Sequence, residues 1–331
     1  MYERALADAV SEPMDVETAS GLCSDIVDRV SEAVVADRAV LETVLTGMLA
    51  RGHVLVEDVP GTGKTLTAIA FADALGLEFN RIQFTPDLLP SDITGTHVYD
   101  EHEGSFRFQR GPVFANVVLA DEINRAPPKT QSALLEAMDE GQVSVDGETF
   151  ALPEPFFVVA TQNPVEQEGT FRLPEAQRDR FVVEASMGYP DRAGELELLE
   201  RRSNRTSTKP SVDAVVDADR VVSLRQVPET VTVAPEVREY LVDLARATRE
   251  DDRVAVGVSP RGIQRFYEAA RARAVVSGRS YVAPDDVKAV APPVLTHRLV
   301  LTSEASIRDA DPADVVSDIL DGVDVPAATA D

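Results

Sequence analysis

The sequence predicts an α/β protein in which a parallel sheet lies between layers of helices and a smaller all-helical domain follows. Two observations predict this arrangement: five short apolar stretches alternate with helical patterns up to residue 190, and beyond it only helical patterns continue. Such alternation is typical of parallel β-α-β units that are covered on both faces. We therefore divide the chain into a flexible acidic arm (1–20), an α/β core (21–190), a helical domain (191–324) and a tail (325–331).

The elements follow in order along the core. Apolar residues at helical spacing between Gly21 and Leu49 predict two amphipathic helices. The five predicted strands lie in "HVLVEDV", "EFNRIQFT", "VFANVVLADE", "PFFVVATQNP" and "RFVVEASMGYP". The polar stretches "THVYDEHEGSFRFQRG" and "GQVSVDGETFAL" predict two hairpins, the second with Asp146-Gly147 as its tight turn. Beyond the core, four patterns with caps or prolines at their starts predict helices: "DRAGELELLERRS", "APEVREYLVDLARATRE", "SPRGIQRFYEAARARAVVSG" and "APDDVKAVAPPVLTHR".

Charge is the unusual feature of the composition. The chain has 32 basic and 57 acidic residues, a net charge of −25, and only four of the basic residues are lysines. A diffuse acidic surface with little lysine indicates adaptation to high salt, and an ordinary acidic protein is the alternative. A general affinity for nucleic acid is disfavoured, because binding a polyanion needs basic patches. The single cysteine, Cys23, and a sequence without a signal peptide or membrane-spanning run predict a cytoplasmic protein with no membrane insertion.

The segment "LVEDVPGTGKT" has the spacing of a phosphate-binding loop, except that Asp58 stands where the first glycine is usual. In such loops, successive backbone N–H groups surround the phosphates and lead into a helix N-terminus. Gly61 and Gly63 permit this curl. Lys64 reaches the outer phosphates, and the Thr65 hydroxyl ligates Mg²⁺. We expect the side chain of Asp58 to point away from the phosphates and the loop to bind nucleotide. The predicted nucleotide-binding residues of the loop are Pro60, Gly61, Thr62, Gly63, Lys64 and Thr65.

Two later strands end in polar residues that complete a nucleotide site. "VVLADE" ends in Asp121, which would hold Mg²⁺ through water, and Glu122, which would polarise the attacking water. "FFVVATQNP" carries Asn163, whose amide would hold that water against the γ-phosphate. The order of loop, acidic strand end and Asn strand end predicts hydrolysis of a nucleoside triphosphate with Mg²⁺, and the resemblance described next implies that the nucleotide is ATP. Thr65 and Asp121 are the predicted metal-holding pair.

Together these motifs resemble the AAA+ ATPases and, within them, the MoxR family. The resemblance covers the chain from Val34 to the mid-320s. Its most specific parts are "GHVLVEDVPGTGKT", "GPVFANVVLADEINRAPPKTQSALLEAMDEGQV", "VVATQNPVEQEGTFRLPEAQRDRF" and "SPRG". Members of the family commonly have "ED" before "PG", so Asp58 is consistent with a working loop.

The resemblance implies a P-loop NTPase core, a helical lid and a ring, usually hexameric, with ATP bound between neighbouring subunits. It implies that Arg180 is the arginine finger, which reaches a neighbour's γ-phosphate, with Arg178 as the competing candidate. Arg261 in "SPRG" matches the family's sensor-2 arginine, which binds the γ-phosphate from the lid. Arg125 would contact the neighbouring subunit, restrain Glu122 or form only a local salt bridge, and the sequence leaves these open.

The function predicted from this resemblance is an ATP-driven, chaperone-like machine that remodels or matures client proteins. Its partners would be copies of itself and clients, often with a von Willebrand factor A domain. One alternative is the motor subunit of a metal-chelatase complex. A nucleic-acid motor is disfavoured because the hairpin at 141–152 carries Asp146 and Glu148 and no basic residue. A scaffold that binds ATP without turnover is disfavoured because Glu122, Asn163 and Arg180 are all present.

Overall fold

The computed structural model describes residues 14–163, 170–171, 173–204 and 211–326. The strands are β1 His53–Glu57, β2 Phe79–Gln83, β3 Gly95–Asp100, β4 Ser105–Arg110, β5 Val117–Asp121, β6 Gln142–Val145, β7 Glu148–Ala151, β8 Phe157–Gln162, β9 Phe181–Ala185, β10 Val254–Val256 and β11 Val300–Leu301. The helices are α1 Val16–Ala33, α2 Arg38–Leu49, α3 Lys64–Ala74, α4 Pro90–Thr94, α5 Pro128–Glu140, α6 Glu175–Arg178, α7 Arg192–Asn204, α8 Ala218–Leu224, α9 Pro235–Glu250, α10 Pro260–Val276, α11 Pro284–Leu295, α12 Ser303–Ile307 and α13 Pro312–Gly322.

The central sheet has five parallel strands in the order β2-β5-β8-β1-β9, and these are the five strands that the sequence predicts. Because all five are parallel, their carboxyl ends lie along one edge of the sheet. In open parallel sheets, ligands bind outside these carboxyl ends. The predicted loop after β1 and the polar ends of β5 and β8 therefore lie on the ligand-binding edge.

Side chains on the two faces of the sheet belong to two different apolar clusters. Val54 and Val56 of β1 face one cluster, which also contains buried residues of α1–α3 and of the lid helices. Leu55, between them, faces the other cluster, which contains residues of α5 and packs against Phe108 and Phe150 of the hairpins. Successive side chains of a strand point to opposite faces, which explains this partition. The lid helices therefore share a core with the first layer of helices.

Both predicted hairpins are present, as β3–β4 and β6–β7. Asp146 and Gly147 form the turn of the second hairpin, with φ of 51° and 85°, as the Asp-Gly signal predicts. The two hairpins contact each other. The rings of Phe108 and Phe150 stack at 4.0 Å, and His97 Nδ1 lies 3.0 Å from a carboxylate oxygen of Asp146.

The predicted N-terminal arm is wrong at its carboxyl end, because α1 begins at Val16 rather than after residue 20. The Asp15 carboxylate accepts a hydrogen bond from the Thr18 backbone N–H at 2.7 Å and caps the helix, and Ala19 is fully buried. A small alanine is a weak periodicity signal, which is why the sequence pattern misses this turn. Residues 1–13 of the arm, and the tail beyond residue 326, lie outside the described residues.

The four predicted lid helices correspond to α7, α9, α10 and α11. The sequence predicts an all-helical lid. Within the described residues the lid is mainly helical, but it also contains a short antiparallel pair of strands, β10 with β11. These strands have only three and two residues, too few for a periodic pattern. The predicted domain boundary near residue 190 falls between β9 and α7. No helix within the described ranges is long and apolar enough to cross a membrane.

Candidate active site

The loop between β1 and α3 depends on two glycines with left-handed backbone angles. Gly61 has φ of 90° and Gly63 has φ of 94°, and a Cβ on either would meet nothing within 4 Å. The backbone angle, rather than lack of space, therefore favours glycine at both positions. Gly63 is the N-cap of α3, so Lys64 and Thr65 form the first turn of that helix. The unpaired N–H groups of a helix N-terminus attract anions.

Asp58 points away from the loop's interior, as the sequence analysis expects. One oxygen of its carboxylate accepts the Gly188 backbone N–H at 2.7 Å, and the other accepts the Val59 N–H at 2.8 Å. Asp58 is buried, and it ties the start of the loop to the segment that follows β9. The residue in place of the usual glycine therefore anchors the loop to the core.

Lys64 lies across the loop. Its ammonium group donates to the carbonyl oxygens of Asp58 at 2.6 Å and Val59 at 2.7 Å. Burial lowers the pKa of this ammonium, while the nearby carboxylates of Asp58, Asp121 and Glu122 act to raise it. The amine therefore lies close to Asp121 and Glu122, the two predicted acidic residues, with which Lys64 lines one cleft.

One cleft of about 390 Å³ brings most of the predicted site residues together. It is lined by Lys64, Thr65 and other loop residues, by Asp121 and Glu122 at the end of β5, and by Asn163 after β8. Thr62 does not line this cleft, and its hydroxyl donates to the Val59 carbonyl at 3.2 Å. The remaining loop residues on its wall are Pro60, Gly61 and Gly63.

Thr161, which the sequence motifs do not single out, joins the two acidic residues. Its hydroxyl donates to the Asp121 carboxylate at 2.7 Å and accepts the backbone N–H of Glu122 at 2.9 Å. Glu122 has a left-handed φ of 57°, an angle that costs energy for a residue with a side chain. The sequence carries one signal for this role of Thr161: it is a polar residue within the apolar strand "FFVVATQ", and a buried hydroxyl needs a hydrogen-bond partner.

The Glu122 side chain is held on the side of β2. Gln83 donates from Nε2 to Glu122 Oε2 at 2.8 Å, and Arg125 Nε lies 3.2 Å from the same oxygen. Of the roles considered for Arg125, this contact fits both a restraint on Glu122 and a local salt bridge.

The predicted arginine finger, Arg180, and the predicted sensor-2 arginine, Arg261, lie away from the cleft and close to each other. Arg180 pairs with the Asp139 carboxylate and donates to the Leu135 carbonyl oxygen at 2.7 Å. Arg261 pairs with the other oxygen of the same carboxylate at 2.8 Å. Neither arginine lines the cleft of its own subunit. The competing Arg178 instead pairs at 3.1 Å with Glu184, whose pKa is raised by burial.

The lid contacts the core next to Arg180. The buried guanidinium of Arg298 pairs with Asp179 at 2.8 Å and donates to the Phe181 carbonyl at 2.6 Å. Burial lowers the pKa of Arg298 to about 10, and Asp179 opposes this shift. Ser259, the N-cap of α10, donates to the second oxygen of Asp179 at 3.3 Å. The lid is thus hydrogen-bonded to the residue directly before Arg180.

Comparison with known proteins agrees with this geometry. Residues 53–183 match the model of the ATPase family associated with various cellular activities (AAA), and residues 246–319 match an AAA lid domain. The chain is 45% identical over 305 residues to the uncharacterized protein YeaC of Bacillus subtilis, covering 92% of this chain and 95% of that protein. It is 42% identical over 327 residues to Chaperone MoxR1 of Mycobacterium tuberculosis, covering 94% and 86%.

A solved structure from Cytophaga hutchinsonii, described as a candidate ATPase, superposes with a TM-score of 0.86 at 40% identity. The match covers 93% of this chain and 96% of that one, so the core and the lid are both included.

Proposed function

The chain belongs to the MoxR family of AAA+ ATPases, which hydrolyse ATP, and we propose that it does so in a ring to remodel or mature client proteins. The observation that carries this proposal is the single cleft that collects Lys64, Thr65, Asp121, Glu122 and Asn163. Three separate strand ends supply these residues, each with a side chain suited to phosphoryl transfer.

The donor set fits a magnesium–triphosphate. Thr65 and Asp121 present hydroxyl and carboxylate oxygens, which are the hard ligands that Mg²⁺ prefers. Bound magnesium would neutralise charge on the phosphates. The two left-handed glycines keep the wall of the loop free of side chains, so backbone N–H groups can approach an anion. These features support ATP and Mg²⁺ as the cofactors.

Each residue of the cleft then has a distinct task. Lys64 exchanges its two carbonyl partners for phosphate oxygens, which offer a full negative charge. Glu122 accepts a proton from the attacking water. Asn163 orients that water through its amide.

Arg180 and Arg261 serve the nucleotide of a neighbouring subunit in this proposal. Both are bound to Asp139, outside their own cleft, so they form one cationic pair on the surface. A γ-phosphate from a neighbour would give this pair a stronger, multiply charged partner. Because the lid is bonded to Asp179, a change in lid position would move Arg180 with it.

The client is proposed to be a protein. Chaperone MoxR1 is similar over nearly the whole chain, and chaperone activity is the part of its name that we extend to this protein. A von Willebrand factor A domain in the partner stays a prediction from the family resemblance. The hairpin β6–β7 carries Asp146 and Glu148 at its turn, which does not favour a phosphate backbone as the client.

Mixing two inactive variants tests the ring and the finger together. Glu122→Gln lacks the activating carboxylate, and Arg180→Ala lacks the finger. If Arg180 acts on the neighbour's nucleotide, mixed rings contain interfaces with an intact Glu122 on one side and an intact Arg180 on the other. We expect ATPase activity to reappear on mixing, and to fall on dilution to monomers.

The matched control is a mixture of Glu122→Gln with Lys64→Ala. Every site in those rings lacks either nucleotide binding or the activating carboxylate, so no activity should return. A second mixture combines Glu122→Gln with Arg178→Ala. If this mixture recovers ATPase activity and the mixture of Glu122→Gln with Arg180→Ala does not, Arg178 is the finger. If neither mixture recovers activity, action across a subunit interface is wrong.

The client is best sought with the ATP-trapped Glu122→Gln protein, in high salt. Proteins retained with this variant and not with Lys64→Ala depend on bound nucleotide. A von Willebrand factor A protein among them would support the proposal. A metal-chelatase complex in its place would favour the chelatase alternative.

A further inference from the structure

Arg81 contacts the carboxylate of Asp121 from the edge of the sheet. It lies on β2, the edge strand, whose neighbour is β5. In the register of these strands Arg81 is opposite Leu119, two residues before Asp121, so the side chains of Arg81 and Asp121 lie on the same face. Arg81 Nε donates to Asp121 Oδ2 at 3.0 Å, and its Nη2 donates to the same oxygen.

The contact comes from the side of Asp121 that is remote from the phosphate loop. The strand order places β8 and then β1, which leads into the loop, on one side of β5, and β2 on the other. On the β8 side, Thr161 donates to Asp121 Oδ1 at 2.7 Å. A carboxylate has about four lone-pair sites, and these three donors leave one, on Oδ1, the oxygen that is bonded on the β8 side.

Arg81 also reaches the second acidic residue through Gln83. Its Nη2 donates to Gln83 Oε1 at 2.5 Å, and Gln83 Nε2 donates to Glu122 at 2.8 Å. One amide thus uses its acceptor for Arg81 and its donor for Glu122. The planar guanidinium can serve Asp121 and Gln83 simultaneously, whereas an ammonium group has no such fixed fork.

We propose that Arg81 is a positioning residue that fixes the Asp121 carboxylate for nucleotide-bound magnesium, an inference that rests on the proposed ATP site. Hydrogen-bond donors behind a metal-holding carboxylate set its orientation, and losing such a partner typically weakens metal binding about 10–100-fold. The same guanidinium supports Gln83, so the carboxylate that holds the metal and the carboxylate that activates water share one support. The contrasting interpretation is an exposed ion pair with no effect on the site.

The test is the magnesium dependence of nucleotide binding, which needs no turnover. Binding of a fluorescent ADP analogue is measured at increasing Mg²⁺ for the unmodified protein, Arg81→Lys and Arg81→Gln. We expect both substitutions to raise the Mg²⁺ concentration for half-maximal enhancement by about 10-fold or more, with Arg81→Gln affected most. Affinity in the presence of a chelator should not change, because Lys64 and the loop N–H groups do not depend on Arg81.

Two further variants separate this role from general damage. Gln83→Leu keeps the Arg81–Asp121 pair and removes the two hydrogen bonds of Gln83, to Arg81 and to Glu122. It should therefore lower turnover and leave the Mg²⁺ dependence unchanged. Arg246→Lys alters an exposed pair with Glu250 on α9 and should change neither measurement. Thermal unfolding without nucleotide checks that each variant folds.

An unchanged Mg²⁺ dependence in both Arg81 variants would overturn the inference. A decrease would also overturn it, because Arg81 would then be competing with the metal. Thr65→Ala and Asp121→Asn show which proposal has failed. If they too leave the Mg²⁺ dependence unchanged, the proposed magnesium site is wrong, whereas an effect in these two alone rejects only the role of Arg81.

Discussion

Asp139 and Arg180 form an ion pair at the carboxyl end of α5, and the same Arg180 Nη1 group donates to the Leu135 carbonyl one turn earlier. Two acceptors on one nitrogen fix the guanidinium against the helix. The second oxygen of Asp139 binds Arg261 of the lid. One carboxylate therefore sets the spacing of two guanidinium groups that would otherwise repel each other.

We expect Asp139→Ala to lower ATP turnover by a few-fold to about 10-fold with little change in nucleotide affinity. Without the carboxylate, Arg180 and Arg261 lose their common partner, and a misplaced catalytic group lowers the rate even when it is still present. Steady-state kinetics of ATP hydrolysis and binding of fluorescent ADP measure the two effects separately. Glu140→Ala, at the neighbouring exposed position, is the control. Turnover equal to that of the unmodified protein would show that Asp139 has no part in placing Arg180.

Lys64→Ala and Glu122→Gln should fail at different steps. Lys64→Ala removes the amine that exchanges its carbonyl partners for phosphate, so ATP binding should be lost. Glu122→Gln keeps a side chain of the same size that still reaches Gln83, so ATP should remain bound while hydrolysis falls by at least about 100-fold. Equilibrium binding and single-turnover hydrolysis distinguish the two. Hydrolysis at the original rate in Glu122→Gln would mean that another group activates the water.

The sheet and the phosphate loop could be predicted because their signals are local. The loop motif occupies consecutive residues, and buried parallel strands are short apolar runs. For Asp58, local signals predict the direction of the side chain but not its hydrogen-bond partner. The sequence predicts that its side chain points away, whereas its bond to Gly188 depends on β9 lying beside β1. The short pair β10–β11 could not be predicted, because it forms only where two distant segments meet.

The partners within the site could not be predicted, because they depend on strand order. Arg81 and Thr161 lie 40 residues from Asp121 on either side of it in the sequence, and both contact it only because β5 lies between β2 and β8. Three of the five residues in "FNRIQ" are polar, which is compatible with an edge strand but identifies no contact. The family resemblance predicts Arg180 as the finger, whereas its pairing with Asp139 becomes visible only in the fold.

Stability should rise with salt concentration if the charge of −25 reflects adaptation to high salt. Repulsion among surface carboxylates acts over about 10 Å at 0.1 M salt and about 3 Å at 1 M, so salt should favour the compact state. We expect the midpoint of thermal unfolding to increase between dilute buffer and molar KCl. Sucrose at matched viscosity is the control for effects unrelated to charge. Full stability in dilute buffer would reject adaptation to high salt and favour the alternative, an ordinary acidic protein.

His53 should make stability fall on mild acidification. It is buried, with Nδ1 accepting the Val158 N–H and Nε2 bonded to the Met138 carbonyl, each at 3.0 Å. Burial lowers the pKa of this imidazole to about 4, far below its value of about 6.5 in an unfolded chain. Between these values the unfolded chain binds one more proton than the folded protein does. The contribution of neutral His53 to the free energy of unfolding is therefore complete above about pH 6.5. It decreases by about 1.4 kcal/mol for each pH unit as the pH falls toward 4.

The measurement is the free energy of unfolding in denaturant between pH 5 and 7.5, for the unmodified protein and for His53→Gln. The glutamine amide keeps a donor and an acceptor but takes up no proton, so the variant should be less stable at pH 7.5 and have a shallower pH dependence. His297, whose pKa burial also lowers, contributes equally to both proteins and cancels in the difference. His102→Gln, in the exposed turn of the first hairpin, is the matched histidine-to-glutamine control. Equal slopes for His53→Gln and the unmodified protein would show that His53 is protonated to the same extent in the folded and unfolded chains.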